Sequence, residues 1–422
     1  MIVNTLSEAP RPFRQTEVYT LSNGLKILLL PDNTIPVVAA QAWVRCGAVD
    51  ESPAQYGISH GLEHMVFKGT PTRTAAAISG VIESQGGVIN AATQLETTHY
   101  YIEVPSYGLE AALDVLVDTL LHPTFPQEEL ERERLVILEE IFRRDDSPES
   151  TLWDEFASAV FKGTPYEITV IGTKDTVSTL KREDLNQYFS KYYVPQNLNF
   201  VVVGDFDRDR VLQKLKSSFE PLATTKAPDA PLVQLDKWAA THLNVKKPIQ
   251  LSYLAAGFPT VGLGEKDAVA LDLLSDVLGG GNSSRLVQNL RQDRQMVLSV
   301  SCEYIPFKQK GMFAFFLDTL PQKSQSALDS LYQEIQRIKE EGIKEDELSR
   351  AKARTKSDWF LGSETPRGCA STLGSLSVLG QLDLVTNYMA RINALTVNDL
   401  MQTYQRYIEK ADLTVVRLEP AV

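Results

Sequence analysis

Cysteine is scarce in this 422-residue chain: Cys46, Cys302 and Cys369 stand far apart, with no C-x-x-C spacing. That excludes a disulfide framework and a thiolate metal site, and it fits a reducing compartment. Long apolar runs are missing too. No stretch approaches a membrane span, and the opening MIVNTLSEAPRPFRQTEVY has no apolar core of leader-peptide length, so the expectation is a cytoplasmic protein with no membrane partner. There is no basic excess either. A net charge of -12 argues against a general nucleic-acid binder and mildly favours neutral or basic partners. Histidine is sparse, with five in all: His60, His64, His99, His122 and His242.

What is present is ordinary in bulk, with 43% apolar and 23% charged residues, and the length suggests more than one domain. Two of the five histidines fall in one stretch, YGISHGLEHMVFKGT at 56–70, as His60-x-x-Glu63-His64. Pro53 suits the first turn of a helix, Asp50 or Ser52 can cap it, and Gly69 follows the last periodic residue, so the segment is predicted helical. Positions i and i+4 of a helix lie one above the other, and two imidazoles so placed can grip one zinc ion. Glu63, one residue before the second histidine, is set to reach a water on that ion rather than the ion itself. The order inverts the H-E-x-x-H helix and keeps its mechanics. A single histidine on an apolar helix face is usually a hydrogen-bonded core residue; two at ligand spacing around a carboxylate favour a metal.

Around this motif, 15–31 reads as two strands about the turn Ser22-Asn23-Gly24, and 37–46 as another strand. Helices are predicted over 74–85 and 106–121, with paired strands over 88–104 between them. A long charged helix opens at Pro126 and continues past Pro148 into a further helical segment. A helix over 181–193 and a strand over 199–203 close the first half.

A Pro-, Ala- and Thr-rich stretch at 221–231 reads as a linker, after which the first half appears again. LKREDLNQYFSKYYVPQNLNFVVV matches LTVNDLMQTYQRYIEKADLTVVRL at an offset of 215, and FPQEELERERLVILEE matches IKEDELSRAKARTKSD at 218. The domain boundaries expected are therefore 1–220, a linker at 221–234, and 235–422, each half an α+β unit. The copy serves as an internal control. With Val66 aligned to Val277, the counterparts of His60, Glu63 and His64 are Leu271, Leu274 and Ser275, which are packing residues. Glu133 and Glu140 lie seven residues apart on one face of the long helix and correspond to Ala351 and Asp358. Spacing alone does not single out Glu140.

H-x-x-E-H followed after 75 residues by Glu140, together with SNGLKILLLPD, GGVINAATQLETTHYY, LGGGNSSRLVQNLR and the two-half organisation, resembles the pitrilysin family of zinc peptidases (inverzincins) over essentially the whole chain. The resemblance is in particular to the mitochondrial processing peptidase β-subunit and its short bacterial relatives. It implies two tandem homologous α/β-sandwich domains, each an antiparallel-rich sheet packed with helices, forming half of a clam-shell chamber. It also implies one Zn2+ per chain on His60, His64 and Glu140, Glu63 as catalytic base, Glu133 as a supporting carboxylate, and peptide hydrolysis. Asn90 is then a substrate-backbone contact beside an edge strand to which a peptide adds.

One position departs from the pattern. Active single-chain members carry an Arg and, seven positions later, a Tyr directed at substrate; here Arg291 is present but Leu298 stands in the second place. Leu cannot donate a hydrogen bond to an oxyanion, which typically costs roughly 10²- to 10³-fold in turnover. The expectation is a metal-bearing subunit of a heterodimer whose paralogous partner supplies the Arg/Tyr pair, or otherwise a homodimer. The rival from another class is a non-catalytic, peptide-binding or scaffold subunit of the same fold.

Overall fold

Short runs rich in Val, Ile and Leu, closed by turn residues, form the strands. In the first half they are β1 (Ile2–Thr5), β2 (Glu17–Thr20), β3 (Lys26–Pro31), β4 (Val37–Val44), β5 (Val88–Thr93), β6 (Thr98–Pro105) and β7 (Leu198–Gly204). The second half has β8 (His242–Lys247), β9 (Ser252–Val261), β10 (Ser299–Pro306), β11 (Lys310–Thr319) and β12 (Thr414–Pro420). The helices of the first half are α1 (Ile58–Val66), α2 (Ala75–Ser84), α3 (Leu109–Leu121), α4 (Gln127–Asp146), α5 (Pro148–Val160), α6 (Lys174–Thr179), α7 (Arg182–Tyr192) and α8 (Arg208–Phe219). Those of the second are α9 (Ala268–Gly279), α10 (Ser324–Glu341), α11 (Glu345–Gly362), α12 (Pro366–Val378), α13 (Leu384–Ala394) and α14 (Val397–Tyr407). This is a computed structural model, and it describes residues 2–235 and 238–421. No helix among them is long and apolar enough to cross a membrane.

The duplication is visible in the sheets. The first runs β1-β2-β3-β7-β4-β6-β5 and the second β8-β12-β9-β11-β10 when read from the matching end. Five strands correspond one to one, and β1 and β2 extend the first sheet. Each sheet has a single parallel pair, β3 with β7 and β8 with β12, and is otherwise antiparallel. The offset of 215 carries α7 onto α14 residue for residue. This is the α+β, twice-repeated architecture expected.

The compact units do not follow the linear boundaries of 1–220 and 235–422. The first comprises Met1–Phe142, Ile168–Pro231 and Phe360–Asn387; the second comprises Arg143–Glu167, Leu232–Trp359 and Tyr388–Val422. The traded segments contain α5 and α12, which begin alike, with a capping Ser147 or Thr365 followed by Pro148 or Pro366. Within the first unit α12 lies on β4 and β7. Gln41 Nε2 donates to Ser371 Oγ at 3.1 Å, Asn199 Nδ2 donates to Ser377 Oγ at 3.1 Å, and Gly374 leaves room only for the Trp43 ring. Within the second unit α5 lies on β9 and β12, with Phe156 and Trp153 against Phe316. Covering both faces of a sheet makes its central strands apolar throughout instead of alternating. All seven residues of β7 are buried accordingly.

On the α12 side of the first sheet, His99 of β6 is sandwiched. The Trp43 ring stacks on it at 4.0 Å and 5°, with Tyr101 at 5.6 Å on the same strand. Burial lowers its pKa from 6.5 to about 4. The unfolded chain therefore takes up the proton first, so this contribution to stability is complete above pH 6.5 and is lost as pH falls toward 4. Between pH 7 and 5 the His99 contribution in metal-free protein should fall by roughly 2 kcal/mol, read in urea titrations against a variant that lacks the imidazole. His99→Phe, which keeps a ring in the stack, should remove most of that loss.

Candidate metal centre

The first turn of α1 is built by backbone. Pro53–Gln55 forms a separate 3-10 turn, and α1 begins after Gly57, whose φ of +90° is left-handed. The cap expected from Asp50 or Ser52 is thus not made. Instead Glu51 accepts hydrogen bonds from Gly57 N at 2.7 Å and Ser59 N at 2.8 Å. Gly57 passes Ile171 and Gly172 so closely that an added Cβ would meet Ile171 O at 2.6 Å. Gly57→Ala should therefore cost at least about 1–2 kcal/mol from the left-handed backbone alone, and the clash should add to that. The expected observation is a lower melting temperature together with weaker metal binding.

From this helix His60 and His64 project toward α4. Their rings meet edge to face with centroids 4.7 Å apart. Glu140 Oε2 lies 3.7 Å from His60 Nε2 and 3.6 Å from His64 Nε2, and one ligand atom from each of the three residues falls within 4.8 Å of the others. Two ligand atoms on a tetrahedral zinc, with bonds of about 2.1 Å, are about 3.4 Å apart. Glu140 Oε2 is buried and accepts no hydrogen bond. A buried carboxylate oxygen without a donor, facing two imidazole nitrogens at nearly that separation, fits a cation that the three can share.

The remaining groups tune these three. His64 Nδ1 is 2.9 Å from Glu133 Oε2, so Nδ1 carries the proton and Nε2 turns its lone pair toward Glu140. Lys68 Nζ sits 2.5 Å from the other Glu133 oxygen. Burial works against ionised Glu133, but His64 and Lys68 outweigh it and hold the carboxyl below its usual range. Burial likewise opposes protonated His64, yet Glu133, Glu63 and Glu140 together raise its pKa. Glu63 is pushed up, chiefly by burial and further by the Glu140 charge, while hydrogen bonding to Thr93 and the His64 charge draw it back. A carboxyl raised in this way holds a proton more readily than an ordinary glutamate does.

The structure thus gathers His60, His64, Glu140, Glu133 and Glu63. Asn90 lies on β5, the edge strand of the sheet, exposed, with its Oδ1 accepting from Ala91 N at 2.8 Å. Arg291 belongs to the second unit, exposed on a π-helical turn at Val287–Asp293, and Leu298 is 52% exposed. Sequence reasoning missed Thr93, Lys68 and Glu51. Lys68 carried a signal, since it falls four residues after His64, in the turn just past the end of α1. In the second unit Leu271 and Leu274 are fully buried and Ser275 nearly so, with Ala351 where Glu133 stands in the first. No metal-binding group forms there among the described residues.

Known proteins resemble the chain over most of its length. The family model described as Insulinase (Peptidase family M16) matches residues 26–174, and the one described as Peptidase M16 inactive domain matches 179–355. The chain is 31% identical over 388 residues to "Uncharacterized zinc protease YmxG" of Bacillus subtilis (strain 168), covering 90% of this chain and 94% of that one. It is 28% identical over 411 residues to "Zinc protease PqqE" of Helicobacter pylori, covering 96% and 93%. The crystal structure of a protease from Helicobacter pylori superposes with a TM-score of 0.90 at 27% identity, covering 96% of this chain and all of that one. An M16 inactive domain from Pseudomonas fluorescens shares the fold at 18% identity, TM-score 0.87, covering 96% and 98%. Two adjoining family matches and near full-length likeness to zinc proteases lead to one assignment: the chain belongs to peptidase family M16, the pitrilysin family.

Proposed function

We propose that this chain is a zinc-dependent endopeptidase acting on unfolded or short peptides, with His60, His64 and Glu140 as ligands of one Zn2+ and Glu63 as catalytic base. The observation that carries the reading is the buried, donor-less Glu140 oxygen facing two imidazole nitrogens, with Glu63 on the same helix. Zinc, when bound, lowers the pKa of a water and polarises the scissile carbonyl. Glu63 takes a proton from the attacking water and delivers it to the leaving amine nitrogen. Glu133 keeps the proton on His64 Nδ1. The peptide lies along the open edge of β5, where Asn90 holds its backbone and main-chain hydrogen bonds align it.

Leu298 supports a further step, that the working enzyme is a dimer. A partner subunit, paralogous or identical, completes the chamber, and in the paralogous case supplies the Arg/Tyr pair. Leu298 is equally the observation favouring a non-catalytic peptide-binding subunit. One set of measurements separates these readings: zinc content, cleavage of a quenched peptide library, and native mass with identification of any co-purifying chain. One zinc per chain with cleavage supports the peptidase. Zinc-free protein that binds peptides without cutting them supports the scaffold. Full activity of the lone chain as a monomer removes the need for a partner.

A further inference from the structure

Glu51 takes no part in the chemistry proposed above, yet it is half-buried against the start of the metal helix and, among the described residues, no lysine or arginine pairs with it. Arg45, the nearby cation, lies instead 3.5 Å from Asp50. Burial pushes the Glu51 carboxyl up to about 8, with the amides of Ser59 and Gly57 and the Ser59 hydroxyl drawing it down. What the carboxylate does touch is the first turn of α1. One oxygen accepts from Gly57 N and the other from Ser59 N, two of the amides that a helix start leaves without partners. Gly57 stands at the cap position and has no side chain to serve them. Ser59 has a second tie, its Oγ lying 2.9 Å from Tyr188 OH, which in turn donates to Gly47 O at 3.3 Å. The residue so fixed from two sides immediately precedes His60.

We propose that Glu51 is a positioning residue for the metal: by clamping Gly57 and Ser59 it fixes the rotation of α1 and so the aim of the His60 and His64 nitrogens at Glu140. A nine-residue helix with ligands at its third and seventh positions has little length over which to correct a misdirected start. A shift of its first turn moves both imidazoles together relative to α4. Each Glu51 oxygen accepts from one amide, and the oxygen that carries the proton when the group is neutral keeps a lone pair to do so. Glutamine, of the same shape, offers one acceptor oxygen and turns an N–H toward the other amide, leaving Gly57 or Ser59 without a partner.

This inference rests on the metal assignment above, and its test distinguishes the two. Zinc affinity is measured by competition with a chromogenic chelator, and Co2+ is added to report ligand geometry, in wild type, Glu51→Gln and Glu51→Asp. Wild type that binds no zinc overturns the metal assignment itself, and the positioning role falls with it. If wild type binds, Glu51→Gln is expected to bind zinc at least about tenfold more weakly, as loss of a ligand's supporting contact does. Its Co2+ spectrum should be altered, and with saturating zinc kcat should fall while KM stays. Glu51→Asp, one methylene short but with both oxygens, should recover part of the affinity. If Glu51→Gln melts at a lower temperature but keeps wild-type zinc affinity and Co2+ spectrum, Glu51 merely stabilises the fold and the proposal is wrong. Should the Glu51 variants fail to fold, Ser59→Ala, which releases the second tie, decides: unchanged zinc affinity there also overturns it.

Discussion

Glu63→Gln should bind zinc as wild type does and cleave peptides roughly 10³-fold more slowly. The amide has the shape of the carboxylate and can keep its contact with Thr93, so the fold and the ligand triad stay intact. What it lacks is a site for the proton of the attacking water. The raised pKa of Glu63, owed first to burial, makes the group both a usable base and a usable acid for the leaving amine. Metal content per chain and single-turnover rates on a quenched peptide check the expectation together. Retained turnover in a fully loaded Glu63→Gln enzyme would remove Glu63 from the base role.

His64→Ala should abolish both metal binding and activity. The substitution removes one of the three proposed ligands and leaves Glu133 and Lys68 with no imidazole to orient. Two ligands cannot hold a cation against water and chelators as three can, so affinity should fall by several orders of magnitude, and added zinc should no longer raise the melting temperature. Glu133→Gln gives a graded contrast. It spares the ligands but weakens the hold on the His64 tautomer, and a loss of about 10- to 100-fold in zinc affinity is expected. Equilibrium dialysis against buffered zinc distinguishes the two. If His64→Ala retains stoichiometric zinc, the metal is held elsewhere.

The His60-x-x-Glu63-His64 segment was legible because helical periodicity, two histidines and a carboxylate coincide in five residues. The repeat was legible from matched runs, and the sheets bear it out strand for strand. Glu140 was not legible from spacing, since ERERLVILEE offers several glutamates on a charged helix and only the contact with α1 selects one. It came through family resemblance. The start of α1 was misread because Pro53 carries a helix-start signal that a separate 3-10 turn consumes. Glu51 was hidden for a related reason: a cap supplied from six residues upstream has no local pattern. Thr93 reaches Glu63 because α1 packs on β5, a contact that sequence separation conceals. The trading of α5 and α12 was invisible, since each is a helix opening on a proline and nothing in its composition names the sheet it covers.

That trading bears on how the chain can be divided. A protease nick in 221–231 cuts the linker, yet each unit still contains a helix encoded on the far side of the cut. The two pieces should stay together through gel filtration and part only on denaturation. Conversely, a gene fragment ending at residue 220 leaves one side of β4 and β7 bare. Such a fragment can bury that surface only by borrowing the missing helix from another molecule, which makes each half an obligate partner of its own repeat.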